Sequence, residues 1–411
     1  MRILFLTQYF PPETGAAQNR ISDLARRLVE LGNSVTVLTA MPNYPQGKIL
    51  RHFRGRVVHE ATEEGVRVLR TWIYATKSKR FPLRMLNYIS FSMMAVMLGL
   101  WKVGRHDFVI VESPPLFLGL SGLLISRSKH AGFVMNISDL WPESVVALGI
   151  LQEGFLLRLA TRLEEYLYRK SVFVTGQTEG IVESINERFP KKLVALQPNG
   201  ICRECLLEEG QRGEARRRIR QEFAFDGQFV AGYAGLHGLA QGLETVLGAA
   251  ELLRDVHPIR FAFFGDGPDK ERLMYLAEER GLPNVHFYAS QSGARMPEIL
   301  AALDTAIIPL RKHVLFRGAL PSKLFESMGA GLPTVVSIQG EAQALVESAQ
   351  AGLCIEPENP RAMAEAILKL YRDSHLRNVL GENGRRYVIQ HFDRAEIAER
   401  LNRLLTAAKA C

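Results

Sequence analysis

The sequence predicts an α/β protein built from two doubly wound parallel-sheet domains. Three observations predict it. Apolar and β-branched runs of strand length alternate with helical patterns along most of the chain. The alternation restarts near residue 200. Glycine-rich turns follow several of the strand-like runs, at the ends where a doubly wound sheet binds ligands. A length of 411 residues suits two or three domains, and 47% hydrophobic with 23% charged residues is ordinary for a soluble globular chain.

In chain order, Ile3–Thr7 is an apolar run, Gln18–Gly32 a helical pattern closed by glycine, and Ser34–Thr39 a β-branched run. Phe108–Glu112, Gly132–Ile137 and Val172–Thr175 read as further strands of a parallel sheet with helices on both faces. The second domain is expected to run Phe229–Tyr233 (strand), Gly242–Val256 (helix), Arg260–Phe264 (strand), Lys270–Arg280 (helix) and Val285–Tyr288 (strand). Pro297–Ala302 (helix) and Thr305–Pro309 (strand) come next. The first domain is therefore placed at 1–200 and the second at 201–393. Two such sheets imply a cleft where strand ends from both sides meet a ligand. Arg361–Leu405 is largely helical, with Gly381-Glu-Asn-Gly384, Tyr387 and Phe392 expected to interrupt it. The last helix, about 394–411, is free to cross back to the first domain.

Charge is uneven. Residues 1–200 carry net +9 and residues 201–411 net −1, within an overall +8. A basic first half favours anionic partners such as phosphates or acidic lipid headgroups, and no nucleic-acid module signature accompanies it. Four cysteines (Cys202, Cys205, Cys354, Cys411) are too few for a disulfide framework and fit a reducing compartment. Cys202 and Cys205 form a lone C-x-x-C, for which free thiols are the expectation. The N-terminus runs straight into a strand pattern without a signal-peptide layout, so the chain is expected in the cytoplasm. Leu86–Trp101 holds sixteen uncharged residues, short of the roughly 20 that a spanning helix needs. Lys77, Lys79, Arg80 and Arg84 precede it, and Lys102 and Arg105 come after it. A buried helix, an interfacial helix with its basic flank on acidic lipid, and a span all remain open.

The loop Phe10-Pro-Pro-Glu-Thr-Gly-Ala-Ala-Gln18 sits between the first strand and first helix, where phosphates or sugars bind. A single Gly15 replaces G-x-G-x-x-G, which disfavours NAD and FAD, and no G-x-x-x-x-G-K-[ST] occurs. Gly235-Leu-His-Gly-Leu-Ala-Gln-Gly242 follows the first strand of the second domain, and Phe264-Gly-Asp-Gly-Pro268 ends another. Their glycines allow close backbone approach to a ligand, or simply serve tight turns, and Asp266 fits a turn or cap as well as a contact. Asp139 and Glu143, in Asn136-Ile-Ser-Asp-Leu-Trp-Pro-Glu143, are carboxylates after a first-domain strand. Either suits a base or an acceptor-hydroxyl contact, and Asp139 also suits a helix cap. No cluster has metal-ligand spacing.

The most informative stretch is Leu320-Pro-Ser-Lys-Leu-Phe-Glu-Ser-Met-Gly-Ala-Gly-Leu-Pro-Thr334. Pro321 and Ser322 start a helix, and Gly329, Gly331 and Pro333 end it before the strand Thr334–Ser337. Lys323 and Glu326 fall on one helix face, a turn apart. A lysine at a helix start suits a diphosphate and a carboxylate one turn in suits a ribose diol. An ordinary surface ion pair fits the same spacing.

Taken together, these segments resemble the retaining GT-B glycosyltransferases of family 4. The resemblance covers nearly the whole chain, in order. It runs from the PPE-x-G loop through Gln197-Pro-Asn-Gly-Ile201, Tyr233-Ala-Gly235, Phe264-Gly-Asp-Gly267, the Lys323/Glu326 segment and Gly381-x-x-Gly-Arg385. Gln8-Tyr-Phe-Pro-Pro-Glu13, Met41-Pro-Asn-Tyr-Pro45 and Asp139-Leu-Trp-Pro-Glu143 are most similar to the L-N-acetylfucosaminyl transferases of O-antigen and capsule assembly.

The resemblance implies a GT-B fold with the acceptor on the first domain and a nucleotide-sugar donor on the second. It places Glu326 on the ribose and Lys323 on the diphosphate, with Gly235, His237, Gly238 and Gln241 approaching the phosphates. Gly265, Asp266, Gly267 and Gln291 border the nucleoside, and Arg317, Gly318, Ala319, Leu320, Pro321 and Ser322 complete the donor loop. Gly15 faces the donor from the first domain, where Asp139 is the remaining catalytic candidate. The sequence departs from the family pattern at Gly318, which replaces the first glutamate of Glu-x7-Glu. Leu236 or His237 stands near the usual arginine, Gln241 replaces a lysine, and Ser138-Asp139 replaces His-Asp. Phosphate charge must then come from Lys323 and Arg317.

The activity implied is the movement of a sugar, an N-acetylated amino sugar, from a UDP-sugar to a polyprenyl-diphosphate-linked saccharide with retention and without a metal or other cofactor. The enzyme would work peripherally on the anionic inner leaflet, from the cytoplasm, with no nucleic acid involved. A nucleotide-sugar 2-epimerase on the same fold and a non-catalytic nucleotide-sugar-binding homologue are the alternatives.

Overall fold

A computed structural model describes residues 1–13, 15–44, 46–78, 80–142 and 154–410 of the chain. The chain divides into two compact units, Met1–Pro198 with Arg394–Cys411, and Asn199–Asp393.

The first unit runs β1 (Arg2–Leu6), α1 (Ala16–Glu30), β2 (Ser34–Ala40), β3 (Val58–Glu63), β4 (Val66–Thr71), α2 (Phe81–Trp101) and β5 (Phe108–Ser113). It continues through α3 (Phe117–Lys129), β6 (Gly132–Ile137), α4 (Phe155–Lys170), β7 (Phe173–Gly176), α5 (Glu179–Arg188) and β8 (Val194–Leu196). Its sheet has the order β3-β4-β2-β1-β5-β6-β7-β8. All neighbours are parallel except β3 and β4, a hairpin at the edge.

Strand alternation divides the core of this unit in two. Ile3 and Phe5 of β1 pack with Ile21, Leu24 and Leu28 of α1 on one face, while Leu4 and Leu6 join the α2 and α3 side. The C-terminal helix (Arg394–Ala410) belongs to the first face, where Ala398, Leu401 and Leu405 are buried against α1. Asn33 donates through Nδ2 to Oδ1 of Asn402 at 3.0 Å.

Helix α2 buries Phe91, Ala95 and Leu98 and leaves Met93, Met97 and Trp101 exposed, Trp101 at 92%. It is long and apolar enough to cross a membrane by length and composition, with a third of that stretch buried. Helix α3 packs directly on it, since a side chain on Gly99 would overlap Ile125.

The second unit runs α6 (Glu209–Glu222), β9 (Phe229–Ala234), α7 (Glu244–Leu252), β10 (Ile259–Phe264), α8 (Lys270–Glu279), β11 (Val285–Tyr288), α9 (Met296–Ala302) and β12 (Thr305–Pro309). Then come α10 (Ser322–Gly329), β13 (Thr334–Ser337), α11 (Glu341–Ala349), β14 (Gly352–Cys354), α12 (Pro360–Arg372) and α13 (Ser374–His391). Its sheet is fully parallel, in the order β11-β10-β9-β12-β13-β14. Helices α6, α9, α10, α11 and α13 cover one face, and α7, α8 and α12 the other.

Three expectations are corrected. Gly381 and Gly384 do not interrupt the tail, because both lie inside α13. A side chain on Gly381 would overlap the Gly331 carbonyl, and one on Gly384 would press Ala351, so these glycines let α13 approach its neighbours. Tyr387 lies inside α13 as well, and the tail breaks at Asp373 and, as expected of Phe392, at Phe392–Asp393. Cys202 and Cys205 are not free thiols. A 3-10 turn over Arg203–Cys205, capped by Cys202, brings their Cα atoms to 5.2 Å, and they form a disulfide. Cys354 is free, and Cys411 lies outside the described residues. Finally, α7 begins at Glu244 rather than Gly242, because Leu239–Gln241 forms a 3-10 turn and Gly242 takes φ +58°.

Candidate functional site

Strands β9 and β10 are neighbours in the middle of the second sheet and end together, with Ala234 beside Phe264. The loops leaving them are stitched to one another. Gly235 donates its amide to the Phe264 carbonyl at 2.9 Å, His237 to that of Asp266 at 2.9 Å, and Asp269 to that of His237 at 3.0 Å. A side chain on Gly265 would overlap the Gly235 carbonyl, and one on Gly267 that of His237. Both glycine turns are thus required by loop–loop packing. The amides of Leu236 and Gly238 make no hydrogen bond among the described residues, which leaves two donors for a ligand.

Lys323 stands under this loop, in the first turn of α10. Its Nζ donates to the Tyr233 hydroxyl at 2.8 Å and lies 4.2 Å from that ring's centroid. A Cβ on Gly235 would sit 3.4 Å from it. The Tyr233 hydroxyl in turn donates to the Leu236 carbonyl at 2.6 Å. Burial lowers the Lys323 pKa to about 7, with Glu326 working in the opposite direction. Helix α10 has no side-chain cap at Pro321, so the amides of Ser322 and Lys323 open its N-terminus without intrahelical partners. Half-buried Glu326 follows one turn on.

His237 is fully buried among Tyr233, Phe263 and Phe287, and neither ring nitrogen finds a hydrogen-bond partner. Burial pushes its pKa down to about 4, assisted by the charges of Lys270 and Lys323. The imidazole is therefore neutral at pH 7 and packs as an aromatic wall. Gln241 has a buried Oε1 without a partner. Asp266 is a turn residue whose Oδ1 accepts from the Gly267 amide at 2.8 Å.

The structure gathers Gly235, His237, Gly238, Gln241, Gly265, Gly267 and Lys323 at one place. Others fall around this place rather than in it. Gln291 follows edge strand β11, and its Oε1 accepts from Arg295 at 3.2 Å. Arg317 lines a cavity with Arg311 and Lys312, while Leu320 accepts from Asn199 through its carbonyl at 3.2 Å. The sequence reading missed Lys270, whose Nζ donates to the carbonyls of Gly265 and Tyr288 at 2.8 Å each and ties the β10 and β11 loops together. It also missed the role of Tyr233; a polar aromatic at a strand end beside a glycine turn was the available signal.

Gly15 and Asp139 lie on the first unit. Gly15 caps α1, and Asp139 is exposed after β6. Glu143 falls outside the described residues, as does Lys79. Beneath Asp139 is a buried network. Glu112, at the end of β5, accepts from Arg20 of α1, from Asn136 of β6 and from Ser138. Arg20 also donates to the Ser138 hydroxyl at 2.7 Å, and Thr175 of β7 donates to Asn136 at 2.7 Å. Glu13 accepts from the amides of Asn43 and Tyr44 at 2.6 and 2.7 Å, although burial raises its pKa. Among the described residues no group of His, Cys, Asp and Glu is placed to hold a metal ion.

Residues 15–200 match the glycosyl transferase 4-like domain, and residues 215–387 match glycosyl transferases group 1. The chain belongs to the GT-B glycosyltransferases of the family 4 type. Two curated relatives are WcaI of Escherichia coli, named for colanic acid biosynthesis, and WbjE of Pseudomonas aeruginosa, named as a glycosyltransferase. WcaI is 27% identical over 381 residues, spanning 89% of this chain and 91% of its own, and WbjE 25% over 65% and 66%. Among solved structures, Anabaena HepE in complex with UDP superposes with TM-score 0.73 at 17% identity, over 99% of this chain and all of its own. WaaG, a glycosyltransferase involved in lipopolysaccharide biosynthesis, gives 0.69 at 20% identity over 98% and 99%. The chain is a glycosyltransferase with two parallel-sheet α/β domains.

Proposed function

We propose that this glycosyltransferase moves a sugar, an N-acetylated amino sugar, from a UDP-sugar to a lipid-linked saccharide with retention, in O-antigen or capsule assembly. The observation that carries this reading is the placement of the Lys323 ammonium against the Gly235–Gly238 loop, at the N-terminus of α10. Two unpaired loop amides, an uncapped helix end and a cation converge there, an arrangement suited to a diphosphate. Glu326, one turn on, suits the ribose hydroxyls. That HepE was crystallised with UDP and with UDP-glucose supports the same ligand class.

In the transfer, an acceptor hydroxyl oxygen forms the new bond to the anomeric carbon as the carbon–phosphate oxygen bond breaks. The hydroxyl proton passes to the departing phosphate on the same face, and UDP leaves. Lys323, the loop amides and the helix end stabilise the charge that develops on the diphosphate. No metal or other cofactor enters this scheme.

The acceptor is assigned to the first unit, and the enzyme to the inner face of the membrane. Exposed Met93, Met97 and Trp101 on α2, with Leu124 on α3 and Phe155 and Leu159 on α4, give one helical layer an apolar surface. Exposed Arg80, Arg84, Lys102 and Arg105 flank it, as suits an anionic interface.

Incubation with a panel of UDP-sugars and polyprenyl-diphosphate-linked saccharide should release UDP and extend the lipid-linked product. Absence of release with every donor would overturn the reading. Interconversion of the donor without acceptor would favour the epimerase instead.

A further inference from the structure

A second feature lies at the C-terminal ends of β12, β13 and β14, beside the α10 site. Arg311, Lys312 and Arg317, on the loop between β12 and α10, surround a cavity of about 150 Å³ whose apolar surface comes from Phe316, Ile338 and Pro357. All three are exposed to solvent, and like charges gathered at a cavity wall favour an anionic partner. The acidic groups nearby meet this only in part. Glu356 pairs with Lys312 at 2.7 Å. Glu341 lies by Gly318, 3.5 Å from where a Cβ there would stand. The Arg317 guanidinium has no hydrogen-bond or ion-pair partner among the described residues.

The loop is held in place without the Arg317 guanidinium. The Arg311 amide donates to the Ala240 carbonyl at 2.9 Å, and its Nε to that of Leu239 at 2.7 Å, which fixes the cavity against the turn that follows the Gly235–Gly238 loop. On the other side Gly340 takes φ +91°, and a side chain there would overlap the Arg317 carbonyl. The cationic rim is thus preorganised, and the ordering cost of binding is reduced.

We propose that this cavity takes an acidic hexose, with its carboxylate on Arg317 and Arg311 and a C–H face of the ring on Phe316. An apolar surface with a few convergent polar groups is the usual composition of a sugar-sized pocket. A neutral sugar gives the Arg317 guanidinium no counter-charge, and a bare phosphate leaves the Phe316 surface unused. The planar guanidinium fork matches a carboxylate in bidentate fashion. Because Arg311 ties the cavity wall to the Leu239–Ala240 turn that follows the Gly235–Gly238 loop, the acidic hexose is assigned to the donor itself, as a uronic acid or a similarly acidic relative. This assignment rests on the nucleotide-sugar reading above and narrows its donor class to acidic sugars, N-acetylated or not.

The test is isothermal titration of UDP, UDP-glucose, UDP-glucuronate and methyl β-D-glucuronide into the full-length protein and its Arg317→Gln variant, at fixed ionic strength. The proposal expects UDP-glucuronate to bind roughly tenfold more tightly than UDP-glucose, as befits a hydrogen-bonded charged contact. Arg317→Gln should collapse that ratio towards one. A wild-type ratio of one or less overturns the proposal. So does a ratio that survives in the variant, and so does equal weakening of UDP, UDP-glucose and UDP-glucuronate, which would put Arg317 on the diphosphate. If no UDP compound binds, the nucleotide-sugar reading fails, and the glycoside decides the cavity. Binding of methyl β-D-glucuronide that Arg317→Gln abolishes upholds an acidic-sugar site, and no binding overturns it.

Discussion

Lys323 is parked on Tyr233. Its ammonium donates to the phenol oxygen and lies against the ring face, so one aromatic residue at the end of β9 supplies both an acceptor and a cation–π surface. The lysine is prevented from swinging away, yet burial keeps its pKa near 7, so a bound diphosphate is its natural counterion.

Donor affinity should depend on pH with a definite sign. The binding form of Lys323 is protonated, and its free-state pKa is about 7. Binding a dianionic diphosphate raises that pKa, so affinity is full below pH 7 and falls as pH rises above it, by up to about tenfold per unit. UDP-glucose is the better probe, since its diphosphate does not titrate there. Titrations from pH 6 to 9 should show the fall in the wild type and a flat, weak profile in Lys323→Met.

Tyr233→Phe removes the hydroxyl that links Lys323 to the Leu236 carbonyl. The ring remains, so the cation–π contact survives and the fold should lose only about 1 kcal/mol in urea titrations. Donor KM should rise several-fold with a smaller effect on kcat, because the lysine is still present but less well directed.

His237 should make the protein acid-sensitive. Its folded-state pKa is about 4, below the ordinary value of 6.5. Below pH 6.5 the unfolded chain takes a proton that the folded chain refuses, so stability falls as pH drops from 6.5 to 4. The loss is of the order of 3 kcal/mol. Comparing chemical denaturation of wild type and His237→Phe across that window should show the dependence shrinking in the variant.

In the first unit, Glu112→Ala would leave the buried Arg20 guanidinium without its carboxylate. Breaking a buried pair from one side costs about 3–5 kcal/mol. The denaturation midpoint should fall accordingly, with Glu112→Gln losing less because it still accepts from Ser138 and Arg20.

For the membrane assignment, replacing Met93, Met97 and Trp101 together by Ser should reduce sedimentation with vesicles containing anionic lipid by more than tenfold, since each side chain contributes roughly 1.5–3 kcal/mol when buried. Thermal stability should be unchanged, because all three are exposed in the folded protein. Equal sedimentation at low salt would exclude this face.

Much of the fold was legible because parallel strands buried on both faces write near-continuous apolar runs, as β1, β5, β6, β9 and β10 do. The β3–β4 hairpin was not. Its strands carry charged residues, Glu60 on the edge strand and Arg67 and the buried Arg70 on β4, which break up the apolar run of a strand. Short β8 and β14, of three residues each, carry too little pattern to stand out. Gly381 and Gly384 misled because the sequence shows a missing side chain but not the neighbour that needs the space. At the site, motif residues were visible as glycines and charges. Their coupling was not, because Tyr233 and Lys323 are ninety residues apart and meet only through the parallel pairing of the second sheet.

The helix Arg394–Ala410 has a consequence for biosynthesis. It completes the apolar face of the first unit, but in chain order it comes after the whole of the second unit. During translation the second unit can close on its own residues while α1 still exposes the groove that Leu401 and Leu405 will fill. The face that β1 and α1 begin is thus sealed only by a segment made after the second unit, and a chain lacking Arg394–Ala410 would carry an unsealed core in its first unit.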